Sequence, residues 1–119
     1  TDAGADLRSP VYAVVPARNS VVIDTGVHVE IPEGYVGMLK SKSGLNVKHD
    51  LIGEGVCDSG YAGSIRVKLY NLGDTDYQIQ RGDKIIQLVI MPCVYCKFTE
   101  VEQFADSERG TGGFGSTGR

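Results

Sequence analysis

An all-β sandwich or barrel is the fold class this sequence predicts, and three features predict it. Apolar residues recur with a period of two rather than 3.6. The periodic runs are short, and glycine-, proline- and aspartate-rich turns separate them. No stretch carries a helical pattern longer than a turn. At 119 residues the chain is one domain with one core, small enough to gain from association with copies of itself.

In chain order, "VVIDTG" (21–26) alternates first, then "VHVEI" (Val27 to Ile31) before the turn "PEG". "YVGMLKS" (35–41) follows. "SIRVKLYN" (Ser64 to Asn71) sets Ile65, Val67 and Leu69 against Arg66, Lys68 and Tyr70, as a half-buried strand requires. The turn "NLGDTD" leads to "YQIQ" (77–80), and the turn "RGD" (Arg81 to Asp83) leads to "KIIQLVI" (84–90). "CVYCKF" (93–98) reads as one more strand, and "TEVEQFADSERG" (99–110) has room for a single helical turn. The expected organisation is a β-domain over 1–107 and a flexible glycine-rich tail over 108–119.

Composition narrows the function. A net charge of −3 gives no electrostatic footprint for nucleic acid, and no apolar run is long enough to span a membrane. Three cysteines, Cys57, Cys93 and Cys96, argue against a disulfide framework and fit the cytoplasm. Cys93 and Cys96 form a C-x-x-C, but residues three apart on a strand face opposite ways. They read as small packing residues rather than a metal or redox pair. Thr1 in place of methionine leads to the expectation that residues precede it.

Five stretches are too specific for scaffold. "TDAGADL" (Thr1 to Leu7) sets Asp2 and Asp6 among small residues. "KSKSGLNVKHD" (Lys40 to Asp50) gathers Lys40, Lys42 and Ser43 beside Gly44, a combination suited to an anion. "GVCDSGYAG" (Gly55 to Gly63) spaces Asp58 and Tyr61 between glycines in a hairpin. "RGDKIIQLV" (Arg81 to Val89) places polar Gln87 inside an apolar strand. "RGTGGFGSTG" (Arg109 to Gly118) contains G-x-G-x-x-G, a pattern that carries weight only between a strand and a helix; Ser116 stands where a Walker loop needs lysine.

Each has a structural alternative: turn-forming aspartates, a solvated lysine face, a core tyrosine, a glutamine on a sheet edge, a solubilising tail. Together they form an inventory of carboxylates, cations, hydroxyls, pliant backbone and two aromatics without a cysteine or serine nucleophile pair. That inventory suits attack of water on a phosphate bound with a divalent metal. Arg109, Ser116 and Thr117 would fold over a phosphate chain, with Phe114 stacked on a base and the glycines permitting close approach.

In this order, "DAGADL", "SKSGL", "GVCDSGYAG", "GDKIIQL" and "RGTGGFGSTG" resemble the five signature motifs of the homotrimeric dUTPases, with variants that look bacterial or phage-like. The resemblance implies a jelly-roll-like β-barrel of the β-clip kind, in a homotrimer whose subunits share active sites. It implies hydrolysis of dUTP to dUMP and pyrophosphate with Mg²⁺ on the triphosphate. Asp58 matches the catalytic carboxylate that activates the attacking water. Tyr61 matches the ring packed under deoxyribose, which excludes a 2′-hydroxyl. Gly55 and Val56 belong to the hairpin that reads uracil through its backbone. Asp6 matches the aspartate that holds Mg²⁺ through water. Lys42, Ser43, Gly44 and Gln87 match phosphate contacts, Arg109 the γ-phosphate clamp, and Phe114 the cap on uracil, with Gly115, Ser116 and Thr117 beside it.

The tail is then expected to be a lid over the nucleotide. One departure stands out: Lys42 occupies the place of an arginine before Ser-Gly and offers a point charge in place of a planar fork. The family's first strand, expected ahead of the first motif, is not in this sequence. A dCTP deaminase shares the fold and needs a glutamate, for which Glu54 is the candidate, but the intact "DSGY" argues against it. A binding-module role remains the alternative from another class. Some phage members of the family engage a repressor protein, the partner implied if the chain is phage-encoded.

Overall fold

A computed structural model of the chain describes residues 1–103. Eight strands and one short helix follow in the order β1 (Gly4–Arg8), β2 (Ala13–Val15), β3 (Ser20–Asp24), β4 (Tyr35–Lys40), α1 (Ser43–His49), β5 (Leu51–Cys57), β6 (Arg66–Asn71), β7 (Tyr77–Ile79) and β8 (Lys84–Pro92). Six strands form one curled antiparallel sheet in the order β1-β8-β4-β5-β6-β3, and β2 pairs with β7 in a second. Inward residues of both sheets, among them Val15, Leu39, Leu51, Val67, Leu69, Ile79, Ile86 and Leu88, fill one core. The all-β, jelly-roll-like expectation holds.

The strands that alternate most cleanly lie where their pattern places them. β6 reads exposed-buried from Arg66 to Asn71, and β4, β7 and β8 occupy the expected runs. The turn at Arg81–Asp83 is closed by Asp83 N–H to Gln80 O at 3.0 Å, with Gly82 at φ 90°. Asn71, fully buried at the end of β6, donates to Val15 O and Thr75 O and accepts from Gly73 N–H, tying both sheets together.

Two expected strands do not form. Val27–Ile31 alternates in burial, yet it joins no ladder; Val27 O takes only the N–H of Ile65. Residues 93–98 run alongside the start of β4 instead: Cys93 N–H reaches Gly34 O, and Gly34 N–H donates to the Tyr95 hydroxyl. No helical turn forms within 99–103. Cys96 is exposed and Cys93 only half-buried, so neither packs as expected, whereas Cys57 sits in the core.

Four elements were not legible, among them β2, whose three residues are too few to show a period. α1 begins at Ser43 and stops at Asp50, whose left-handed backbone lets its N–H close on Asn46 O. Seven residues are too few to show a helical period. β1 has few apolar positions. β5 carries two glycines, which weaken a strand, but close packing demands them. A Cβ at Gly55 would lie 2.9 Å from Leu39 Cδ1, and one at Gly53 would strike Ile86 Cδ1.

Candidate active site

Motifs one, two and four converge on Asp6. Asp6 faces Gln87 across the β1–β8 ladder, and Gln87 faces Lys40 across β8–β4. Where β4 ends, the chain turns into α1 and carries Lys42 back over β1. The Lys42 ammonium donates to Asp6 Oδ1 at 2.5 Å, and Lys84 Nζ lies 3.6 Å from Oδ2. The hydrogen bond from Lys42, helped by both positive charges, holds the Asp6 carboxyl below the ordinary carboxylate range against a partial desolvation that opposes it.

Gln87 works first as a strut. Its Nε2 donates to Ser41 O at 3.0 Å, and one amide hydrogen remains for another acceptor. Ser41 Oγ exchanges hydrogen bonds with the backbone of Gly53, so the segment before Lys42 is anchored to β5 as well. Ser43 and Gly44 open α1. Asn46 is the first N–H to close a helical bond, which leaves the N–H groups of Ser43, Gly44 and Leu45 without helical partners.

Motif three forms a tight turn at the far end of β5. Tyr61 N–H donates to Asp58 O at 3.1 Å, and Gly60 holds the positive φ of 86° that the turn requires. Asp58 is exposed at its tip. The hydroxyl end of the Tyr61 ring fills the space beside Gly63, where a Cβ would come within 2.6 Å of Cζ, and its hydroxyl donates to Ser64 O. Next door, His28 Nδ1 donates to Ala62 O at 2.8 Å and braces the hairpin, a role the sequence did not disclose. A groove of about 860 Å³ runs between Tyr61 and the Val29–Glu33 segment.

The β5–β6 ladder covers only Leu51–Gly53, so from Glu54 onward β5 is paired on its β4 side alone. Gly55 and Val56 therefore present backbone donors and acceptors along an edge, which is the chemistry a base needs for backbone readout. Burial raises the pKa of the Cys57 thiol, and the neighbouring Asp58 charge adds to the effect, so this thiol is a packing group. Glu54 pairs with Lys40 at 3.2 Å on the exposed sheet face.

The two halves are not adjacent. Asp6, Gln87, Lys40 and Glu54 share one rung across four strands. Asp58 lies four positions beyond Glu54, so three interstrand steps and four residues of strand separate it from Asp6, roughly 20 Å. Among the described residues no three histidine, cysteine or acidic groups cluster to hold a metal, and no helix is long and apolar enough to cross a membrane. Arg109, Phe114, Gly115, Ser116 and Thr117, and the expected 108–119 lid with them, lie outside the described residues.

Comparison with known proteins bears on this arrangement directly. The dUTPase family model matches residues 1–118. A deoxyuridine 5′-triphosphate nucleotidohydrolase of Oryza sativa is 43% identical over 117 residues, covering 98% of this chain and 68% of the relative. One from Clostridium acetobutylicum is 40% identical over 120 residues, covering 98% and 83%. Among solved structures, a Staphylococcus bacteriophage 80alpha dUTPase with dUpNHpp superposes with a TM-score of 0.85 at 36% identity, over 100% of this chain and 88% of that one. The dUTPase of phage phi11 of S. aureus, described for its coordination of a structural Mg(II) ion, gives 0.81 at 34% identity over 89% and 87%. Motif order, fold and sequence agree: the chain belongs to the dUTPase family.

Proposed function

We infer that this protein hydrolyses dUTP to dUMP and pyrophosphate, removing a precursor of uracil in DNA and supplying dUMP for thymidylate. The observation that carries the reading is the turn at Asp58–Tyr61. It carries an exposed carboxylate and an aromatic ring on one tight turn, whose backbone Gly60 shapes and beside which Gly63 leaves room for the ring. Asp58 orients a water toward the α-phosphorus and takes its proton as the bond to the pyrophosphate leaving group breaks. Tyr61 lies under the deoxyribose and leaves no space for a 2′-hydroxyl. The open edge of Gly55 and Val56 pairs with uracil.

Lys42, the N–H groups and hydroxyl of Ser43 and Gly44, and the remaining amide hydrogen of Gln87 bind the phosphates. Arg109 clamps the γ-phosphate, and Phe114 with Gly115, Ser116 and Thr117 closes over the base. Asp6, paired with two lysines, fits Mg²⁺ only as a water-mediated partner of a metal that the triphosphate brings with it. One carboxylate amid lysines cannot cage a metal, but Mg²⁺ is commonly held by one carboxylate, water and substrate phosphates. When bound, the metal neutralises charge on the triphosphate, and Asp6 would hold it through water.

The active unit is a homotrimer with shared sites. The roughly 20 Å between Asp58 and Asp6 exceeds what one base–phosphate pairing spans, so a second copy supplies one half. The outer face of the sheet supports this with a contiguous apolar patch, Val36, Met38, Val56, Val89 and Met91, that a second copy would cover.

The test is pyrophosphate release from dUTP with Mg²⁺, run beside UTP, dTTP and dCTP. Turnover should be confined to dUTP and fall about a thousandfold or more in Asp58→Asn, with binding of dUTP nearly unchanged. Release from dCTP, or an active Asp58→Asn, would overturn the reading.

A further inference from the structure

Lys84 has no role in the mechanism above, yet the fold takes trouble to place it. The β1–β8 register runs Asp6↔Gln87, Leu7↔Ile86 and then Arg8↔Lys84, skipping Ile85 at a bulge. Ile85 and Ile86 are consecutive, and both are buried. In an unbroken strand Lys84, three residues from Gln87, would point to the opposite face from it. The bulge restores Lys84 to the face of Gln87 and Asp6, the kind of re-aiming that bulges perform beside active sites.

The three charged groups are unequal partners. Lys42 hydrogen-bonds Asp6 Oδ1, whereas Lys84 stands 3.6 Å from Oδ2, near enough for attraction and too far for a hydrogen bond. Its ammonium makes no hydrogen bond among the described residues, is 48% exposed, and borders an open cavity of about 370 Å³ together with Arg8. Two ammonium groups on one carboxylate leave a local excess of one positive charge, and Arg8 and Asp83, which line the same cavity, offset each other and leave that excess in place. Such a site is electrostatically incomplete until an anion arrives.

We propose that Lys84 is a further phosphate-binding residue: it rests beside Asp6 in the free protein and turns its ammonium to the β- and γ-phosphates when nucleotide enters. The inference rests on the dUTP reading. Asp58 works at the α-phosphorus, so the cations gathered at Asp6 face the outer phosphates. Lysine fits the task, because its three donors sit on a flexible stem that can leave one anion for another.

Equilibrium binding of dUpNHpp and of dUMP, measured by calorimetry with Mg²⁺ at low and high salt, tests this. Lys84→Met should weaken dUpNHpp roughly tenfold at low salt, as expected for a lost charge-assisted contact, and leave dUMP unaltered. The deficit should shrink at high salt, and Lys84→Arg should recover most of the affinity. Equal losses for both ligands would make Lys84 a structural counter-ion of Asp6 and overturn the proposal, as would no loss for either. Lys84→Gln, judged by the same comparison, replaces the methionine variant should that one misfold. If the wild-type protein bound neither ligand, the dUTP reading would fall and this inference with it.

Discussion

A single glycine governs the position of Tyr61, the ring proposed to gate the sugar. Gly63 has no side chain, and the Tyr61 ring occupies the space where one would be. Ring position, hydroxyl bond to Ser64 O and hairpin shape are thus one linked arrangement. Gly63→Ala would displace the ring rather than unfold the domain, because the obstructing atoms belong to a side chain that can swing outward. The expected result is a fall of about tenfold in kcat/KM for dUTP with a narrower preference over UTP, read from parallel kinetics on both nucleotides. Unchanged discrimination would show that Tyr61 does not set sugar choice. Residue identities at this scale were legible: the turn chemistry of Asp58, Gly60 and Tyr61 is visible in the sequence. The dependence of Tyr61 on Gly63 was not, because it comes from a contact between a ring and a backbone position.

Short strands depend on what fastens their ends, and β3 shows how. The Asp24 carboxylate closes the strand by accepting from the Ser64 hydroxyl and from Gly26 N–H, with Arg66 nearby. The Ser64 hydrogen bond, then that of Gly26, lowers its pKa. A carboxylate whose pKa is depressed on folding adds stability above its unfolded value, near 4, and loses it as pH falls through the folded-state value. Asp24→Asn should therefore lower Tm by a few degrees at neutral pH, and the two melting curves should converge in acid. Thermal melts between pH 2 and 7 check this; a constant gap would mean that shape rather than charge fastens the strand. At the element scale, alternation located β4, β6, β7 and β8 well. It failed for Val27–Ile31, whose side chains alternate in burial while its backbone joins no ladder. It failed for β5 as well, where glycines that look like strand breakers are required by Leu39 and Ile86.

Across the whole molecule, the spacing of Asp6 and Asp58 underlies the proposal that subunits share their sites. Subunits carrying Asp58→Asn and subunits carrying Asp6→Asn should each be nearly inactive alone. Mixed by joint refolding, they should regain activity at about a quarter of the sites, half times half for one intact contribution from each of two subunits. Absence of recovery in verified mixed oligomers would place both aspartates of a working site on one chain.

Period-two alternation, turn chemistry and the five motifs in order were determined by the sequence alone, because each is a property of neighbouring residues. They suffice for an all-β fold and for the chemistry of a nucleotide triphosphate. Tertiary structure alone decided that Lys42 and Lys84 both converge on Asp6, that a bulge at Ile85 turns Lys84 toward it, and that Asp58 stands three strands away. Those facts depend on ladder register and on close backbone packing between segments distant along the chain. Local periodicity carries no record of register, since every rung of a regular strand looks alike until its partner is in place.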